Sequence, residues 1–170
     1  MAASIREALE GLARQFAEEP ERARVRTGPT TARIVAGLRC EVRGPGGETL
    51  LTDMGQSMGG EASAPAPGWL MRASLASCTA TCIAMRAATL GVALSMLEVT
   101  VVSEADQRGM LGLDEHIPPG PSAFRVRVRL AAPNASPDEL RALAEWADQH
   151  SPVASTARGN PRYSLEVDVA

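Results

Sequence analysis

The chain has 170 residues, a formal net charge of -3 and three cysteines. This length is typical of a single domain that buries roughly two-thirds of its unfolded surface. All 17 basic residues are arginines, scattered along the sequence, whereas nucleic-acid-binding domains cluster them on one face, so we expect no nucleic-acid partner. An odd, small number of cysteines excludes a disulfide framework and favours the reducing cytoplasm. The N-terminal residues lack the pattern of a secretory signal.

The first predicted element is an amphipathic helix over residues 4–17, with Ser4 as the expected N-cap and Pro20 closing the element. Its apolar residues recur at helical spacing along one stripe: Ile5, Leu9, Leu12 and Phe16. We interpret residues 1–20 as an N-terminal helical extension that packs on its own domain or on a dimer mate. Docking of a different partner is the alternative.

Residues 22–53 have the composition of β-strands. The stretch 22–43 is rich in branched residues, is broken by a turn signal at 28–29 and alternates approximately from Leu38 onward. The glycine- and proline-rich stretch 44–47 predicts a hairpin turn, and residues 48–53 predict the returning strand. A loop over 54–67 then leads to the next helix.

The dominant element is a helix predicted from Pro67 to Leu90. Apolar residues occupy all of its faces, which is typical of a core helix. Its length would suffice to span a bilayer, but Arg72, Arg86 and the hydroxyl side chains make a membrane span a poor interpretation. Since one sheet and one small helix would not cover such a helix on both sides, we expect a second subunit.

The remaining elements follow as strand, strand, helix and strand. Residues 95–105 predict a strand, and 124–130 alternate apolar residues with arginines, which indicates a half-solvated strand rather than an anion site. Ser136 and Glu139 form the capping box of a helix that ends near 149. Residues 150–159 predict a turn or short helix, and 163–169 a terminal strand. This order predicts an α+β fold with a long buried central helix packed against antiparallel or mixed sheets.

Two of the three cysteines, Cys78 and Cys82, lie four residues apart on the central helix. Their Cβ atoms are expected roughly 5–6 Å apart, which disfavours a disulfide within an intact helix. Unpaired cysteines usually pack as small apolar residues, whereas a reactive thiol needs a nearby cation or a helix N-terminus. Cys78 lies almost three turns into its helix, so an arginine from another element would have to activate it. Cysteine and histidine spacings do not fit a metal site.

Several motifs together resemble a known family. They are Gly59-Gly60, Ala64-Pro65-Ala66-Pro67, the helix run from Ala73 to Ala80, and His150-Ser151-Pro152-Val153 followed by Thr156. The chain resembles the OsmC/Ohr family over about residues 34–169. The resemblance implies an OsmC-like domain over 21–170 and an intertwined homodimer. It also implies thiol-dependent reduction of organic hydroperoxides, with an external dithiol or lipoyl-type reductant and no bound cofactor.

The same resemblance assigns roles to individual residues. Cys78 matches the peroxidatic cysteine. Arg39 is the first choice for the arginine that holds the thiolate and the peroxide, and Arg33 is the second. Ser151 stands where the family has its resolving cysteine, and Gly68 stands where it has a glutamate.

These departures leave the recycling and the activation of Cys78 open. An oxidised Cys78 would need an external thiol, Cys82 or Cys40 as its resolving partner, and Glu61 is a possible substitute for the glutamate. Three hypotheses follow. The protein is a one-cysteine peroxidase, a non-catalytic homodimer that binds a small ligand in the cleft near Cys78, or a structural protein with inert cysteines.

Overall fold

The computed structural model describes residues 2–159 and 161–169, with the side chains described from residue 5 onward. Helix α1 spans Ala2–Glu18 and is followed by a short 3-10 turn at Pro20–Ala23. Because the helix already includes Ala2, Ser4 lies within it and the predicted N-cap is wrong. Helix α1 packs on the long central helix, and the Arg6 Nε donates to the Ala88 carbonyl at 3.0 Å. That carbonyl lies in the last turn of the central helix, where a cation is favourable.

Strands β1 (Thr31–Ala36), β2 (Arg39–Arg43) and β3 (Thr49–Thr52) form an antiparallel sheet in sequence order, called here the first sheet. The tight turn at Gly37-Leu38, where Gly37 has a φ of +51° that favours glycine, was not predicted. Branched residues flank this turn on both sides, and their pattern predicts a single strand over residues 34–42. The hairpin turn predicted at 44–47 is confirmed.

The central helix, α2, spans Pro67–Leu90 as predicted, with proline at its first position and Gly91 ending it at a φ of +74°. One face is buried, and the residues along it are Leu75, Thr79, Ile83, Ala87 and Ala88. Other positions stay open, and both Trp69 and Leu90 are about half exposed. Within the single chain, therefore, the expected burial on all faces is not reached.

Among the described residues, α2 alone is long and apolar enough to cross a membrane. It lies instead against α1, β4, α4 and α5 inside the domain and carries two arginines along its length. Length and composition also select the core helices of soluble domains. We therefore describe α2 as the central helix of an α+β domain.

Strands β4 (Met96–Glu104) and β5 (Ala123–Ala131) form a separate antiparallel pair, the second sheet, and helix α3 (Gln107–Met110) lies between them in sequence. The predicted alternation is confirmed. Phe124, Val126, Val128 and Leu130 lie on the less exposed face of β5, whereas the three arginines are exposed. Val128 and Leu130 pack against the core cluster of α2 and α4. Arg129 pairs with Glu98 across the strands at 3.1 Å.

Helices α4 (Pro137–His150) and α5 (Pro152–Arg158) are the last regular elements among the described residues. The capping box is confirmed, since Ser136 accepts from the Glu139 N–H and Glu139 accepts from the Ser136 N–H. Leu143 and Ala147 of α4 pack with Ile83 and Ala87 of α2 as the core cluster. This packing places the short connection between α4 and α5 against the middle of α2.

The predicted terminal strand over 163–169 is wrong for the described chain. Residues 161–169 carry no assigned strand, and Tyr163 and Val169 are 87% and 91% exposed. The alternating pattern is present, but a strand needs the backbone of a neighbouring strand to satisfy its polar groups. None of the described strands pairs with this segment.

Candidate active site around Cys78

The half-buried Cys78 faces the start of α5. The Ser151 hydroxyl donates to the Cys78 sulfur at 3.3 Å. Ser151 itself is fully buried and serves as the N-cap of α5, because its Oγ accepts from the Ala154 N–H at 3.2 Å. The residue found at the family's resolving position therefore contacts the candidate peroxidatic sulfur directly.

Local sequence explains this placement. Ser151-Pro152 is a favoured helix start, with a serine cap followed by a proline whose fixed φ suits the first helical position. Buried Ala147 and Ala154 hold the two helices against α2 on either side of this start. The Val153 N–H, in the first turn of α5, also favours the thiolate and lowers the pKa of Cys78.

Electrostatics around Cys78 favour its thiolate. Burial raises the pKa of Cys78, but hydrogen bonds from the Ser151 hydroxyl, the Val153 N–H and the Cys82 thiol outweigh that effect. The net pKa of Cys78 is lowered from its ordinary value, since each of these donors stabilises the negative sulfur. The sequence predicts only an arginine in this role, and the contribution from the start of α5 was not predicted.

Cys82 lies one turn further along α2 and is also half-buried. Burial raises the pKa of Cys82, and the adjacent negative charge on Cys78 raises it further. Of the two thiols, Cys78 is therefore the one that loses its proton at the lower pH. All three cysteines are free thiols.

The candidate arginines lie on the first sheet. Arg39 begins β2 and is half-buried, and its Nε is buried without a hydrogen-bond partner among the described residues. Arg33 is exposed on β1, opposite Glu41. Within the described part of the chain, neither guanidinium hydrogen-bonds Cys78. The structure thus unites Cys78, Cys82 and Ser151 but leaves both arginines apart from them.

Glu61 lies in the loop before α2 and its side chain is exposed. Its backbone N–H donates a hydrogen bond to Asp53 Oδ2 at an N···O distance of 3.2 Å. This bond involves the backbone of Glu61 and not its carboxylate. The role of Glu61 as a substitute for the missing glutamate stays a prediction. Gly68, which occupies the glutamate position, lies beside Arg72, whose Nη1 would be 3.9 Å from an added Cβ.

Asp53 organises this loop, a role that was not predicted from the sequence. This buried carboxylate accepts from the Met54 and Ser63 N–H groups and from the Ser63 hydroxyl, besides Glu61. Hydrogen bonds from Ser63 lead the effects that lower the pKa of Asp53, against a smaller opposing effect of burial. In the sequence, the only feature that could have indicated this role of Asp53 is its position just after a strand and ahead of a glycine-rich loop. The loop sets the course of the chain into α2.

Comparison with known proteins decides the family. The family model for OsmC-like proteins matches residues 60–166. The chain belongs to the OsmC-like family. That match includes Cys78, the connection at Ser151 and both helices around it. No curated protein matches the sequence.

Solved structures agree on the fold of this OsmC-like protein. An OsmC-like protein from Mycoplasma pneumoniae has 14% identity and a TM-score of 0.67, covering 81% of this chain and 91% of its own. An organic hydroperoxide resistance protein from Legionella pneumophila has 23% identity and a TM-score of 0.54, covering 80% and 93%. A putative organic hydroperoxide resistance protein from Vibrio cholerae, with captopril bound in one active site, has 28% identity and a TM-score of 0.53, covering 80% and 88%.

Proposed function

We propose that this OsmC-like protein reduces organic hydroperoxides, with Cys78 as the peroxidatic thiolate. The observation that carries the proposal is the set of donors on the Cys78 sulfur, above all the buried Ser151 hydroxyl at 3.3 Å. A lowered thiol pKa is what a nucleophilic cysteine needs. Family membership and the relative from Vibrio cholerae support the choice of an organic hydroperoxide as substrate.

The proposed step is a nucleophilic displacement. The Cys78 thiolate attacks the terminal oxygen of the hydroperoxide, a sulfur–oxygen bond forms and the oxygen–oxygen bond breaks. The sulfur is oxidised to a sulfenic acid, the peroxide is reduced, and the departing alkoxide takes up a proton to leave as an alcohol. The hydrogen bond from Ser151 holds the sulfur in place for this attack, and the Val153 N–H favours the thiolate.

Recycling requires an external dithiol in this proposal. Ser151 occupies the resolving position and has no thiol, while Cys82 is held on the same helix in a geometry unsuited to a disulfide. An external dithiol attacks the sulfenic acid to give a mixed disulfide and water. Its second thiol then releases reduced Cys78 and leaves as a cyclic disulfide, which restores the enzyme.

The complete site is proposed to need a second copy of the chain. The main packing contacts of the described chain do not join the first sheet to a helix or to the second sheet. Ile34 is 65% exposed on that sheet, and the buried Arg39 Nε has no partner among the described residues. A homodimer that covers the first sheet would bring Arg39 of one copy to Cys78 of the other.

A non-catalytic, ligand-binding protein is the second candidate. Its support is that Ser151 and Gly68 replace the two side chains on which the family's redox cycle depends, while the fold is retained. Under either candidate, the free thiols fit the proposed cytoplasmic location. The candidates differ in whether Cys78 reacts with a peroxide.

Intact mass after addition of one equivalent of cumene hydroperoxide, with a sulfenic-acid trap present, separates the candidates. We expect stoichiometric trapping that is lost in Cys78→Ser and retained in the matched variants Cys82→Ser and Cys40→Ser. If Cys78 stays reduced in a folded dimer, the peroxidase proposal is wrong and the ligand-binding candidate replaces it.

A further inference from the structure

A cavity of about 350 Å³ lies between α1, α2 and α4. Its walls are mostly apolar, and its size lies within the range of small-molecule sites. Leu9 and Ala13 of α1 form one wall, and Met85 of α2 forms another. Helix α1 therefore closes one side of the cavity, which would be an open groove without it.

The polar groups of the cavity are few and are fixed in place. The Arg86 guanidinium carbon lies over the Trp146 ring at 4.4 Å from its centroid. The His150 ring stacks on Trp146 with centroids 3.9 Å apart and an interplanar angle of 12°, and its Nδ1 lies 2.7 Å from the Trp146 carbonyl oxygen. These contacts build a flat aromatic and cationic surface on one side of the cavity.

Arg86 is charged and half-buried, yet it belongs to none of the ion pairs recorded among the described residues and donates no hydrogen bond to them. A guanidinium partly removed from water gains most from a planar, bidentate anion such as a carboxylate. Glu10 lies on the α1 wall but is exposed, where water and salt screen its charge. The charge balance inside the cavity therefore favours an acid group next to Arg86.

We propose that this cavity binds a small amphipathic organic acid, with its apolar or aromatic body against Leu9, Met85 and Trp146 and its acid group on Arg86. The proposal does not require a reactive Cys78, so it goes beyond the proposed peroxide chemistry. Cys82 lines the same cavity and lies one helical turn from Cys78 on α2. An occupant would therefore lie about one turn of α2 away from the candidate peroxidatic cysteine.

Fluorescence titration of the full chain with 1-anilinonaphthalene-8-sulfonate, an aromatic anion, tests the charge requirement. N-phenyl-1-naphthylamine serves as its uncharged counterpart. Arg86→Gln should weaken binding of the anion about tenfold and leave the neutral probe within about twofold, because one charge-assisted contact is lost. Arg86→Lys should recover part of the affinity. Arg14→Gln, an exposed arginine of α1 outside the cavity, is the matched control and should change neither probe.

Two further variants test the location. Ala13→Phe should fill the cavity and abolish saturable binding of both probes, whereas Ala17→Phe, one turn further along α1 and outside the lining, should not. Bound anion should also slow maleimide labelling of Cys82 but not of Cys40. The proposal is overturned if neither probe binds saturably. It is equally overturned if Arg86→Gln or Ala13→Phe binds the anion like the wild type while folded by circular dichroism.

Discussion

The surroundings of Cys78 and of Arg39 differ in a way that defines how the site is built. Around Cys78, the second sheet, α2, α4 and α5 pack on one another, and the sulfur already receives hydrogen bonds from its own chain. Around Arg39, the first sheet lacks a packing partner and the buried Nε lacks an acceptor among the described residues. A buried donor without an acceptor is costly.

This difference separates two requirements of the proposed chemistry. Stabilising the Cys78 thiolate needs only groups that one chain supplies, whereas the proposed placement of Arg39 beside it needs the first sheet of a second copy. A single chain would then contain a poised thiol without its guanidinium. Variants in each region should have different signatures, and the following expectations run from the largest effect to the smallest.

Ile34→Glu should abolish the dimer and, with it, measurable hydroperoxide reduction. A carboxylate on the apolar face of β1 cannot be buried unpaired against another copy. Light scattering gives the mass, and peroxide consumption gives the activity. Thr31→Glu, on the other face of the same strand, is the control. A dimeric, fully active Ile34→Glu would show that the first sheet is not the interface.

Arg39→Gln should slow oxidation of Cys78 about 100-fold, the usual effect of removing one group that stabilises charge in a transition state. Arg33→Gln, on the paired strand, should stay close to the wild-type rate. Stopped-flow kinetics with an organic hydroperoxide measure both. If Arg33→Gln were the slower variant, the choice between the two arginines would be reversed.

In Ser151→Cys, the new thiol at position 151 should react with the sulfenic acid at Cys78, in place of an external dithiol. The Ser151 Oγ is 3.3 Å from the Cys78 sulfur, so modest adjustment allows a disulfide between the two positions. After one equivalent of hydroperoxide, the mass should show loss of two hydrogens rather than a trapped sulfenic acid. Thr156→Cys, exposed on α5, should retain the trapped species. Persistent trapping in Ser151→Cys would mean that α5 does not approach α2 as described.

Asp53→Asn should lower the Tm by several degrees, since an amide accepts fewer of the loop's hydrogen bonds. The pKa of Asp53 is lowered in the folded state, so its contribution to stability is present above its ordinary pKa and is lost as the pH falls through the lowered value. The difference in Tm from the wild type should therefore disappear in acid. Asp138→Asn, on the solvated face of α4, should change the Tm little at any pH.

Local patterns predicted much of this fold. The alternation in β5, the capping box at Ser136 and the unbroken apolar helix α2 are all encoded within a few residues, and each is confirmed. The turn at Gly37-Leu38 was missed because the branched residues around it mask a tight hairpin. The strand expected over 163–169 failed because pairing depends on a neighbour that the described chain does not supply.

The site was harder to predict than the fold. The family motif identified Cys78 and Ser151. Their contact joins residues 73 positions apart, and the spacing of residues in a sequence does not predict contacts at such a separation. Asp53 was missed for the same reason, because its partners lie up to ten residues away in a loop without periodicity. In the sequence, Arg86 and Trp146 have no feature that distinguishes them from other helix residues. Their contact is visible only in the packed structure.

The pH dependence of Cys78 alkylation tests the central claim most directly. It is measured in Cys40→Ser/Cys82→Ser protein with and without Ser151→Ala. With Ser151 present, the midpoint should lie below that of an ordinary thiol, and Ser151→Ala should raise it and slow oxidation at neutral pH several-fold. An ordinary or raised midpoint that Ser151→Ala does not change would contradict the account. The hydrogen bonds from α5 would then not poise Cys78 for reaction.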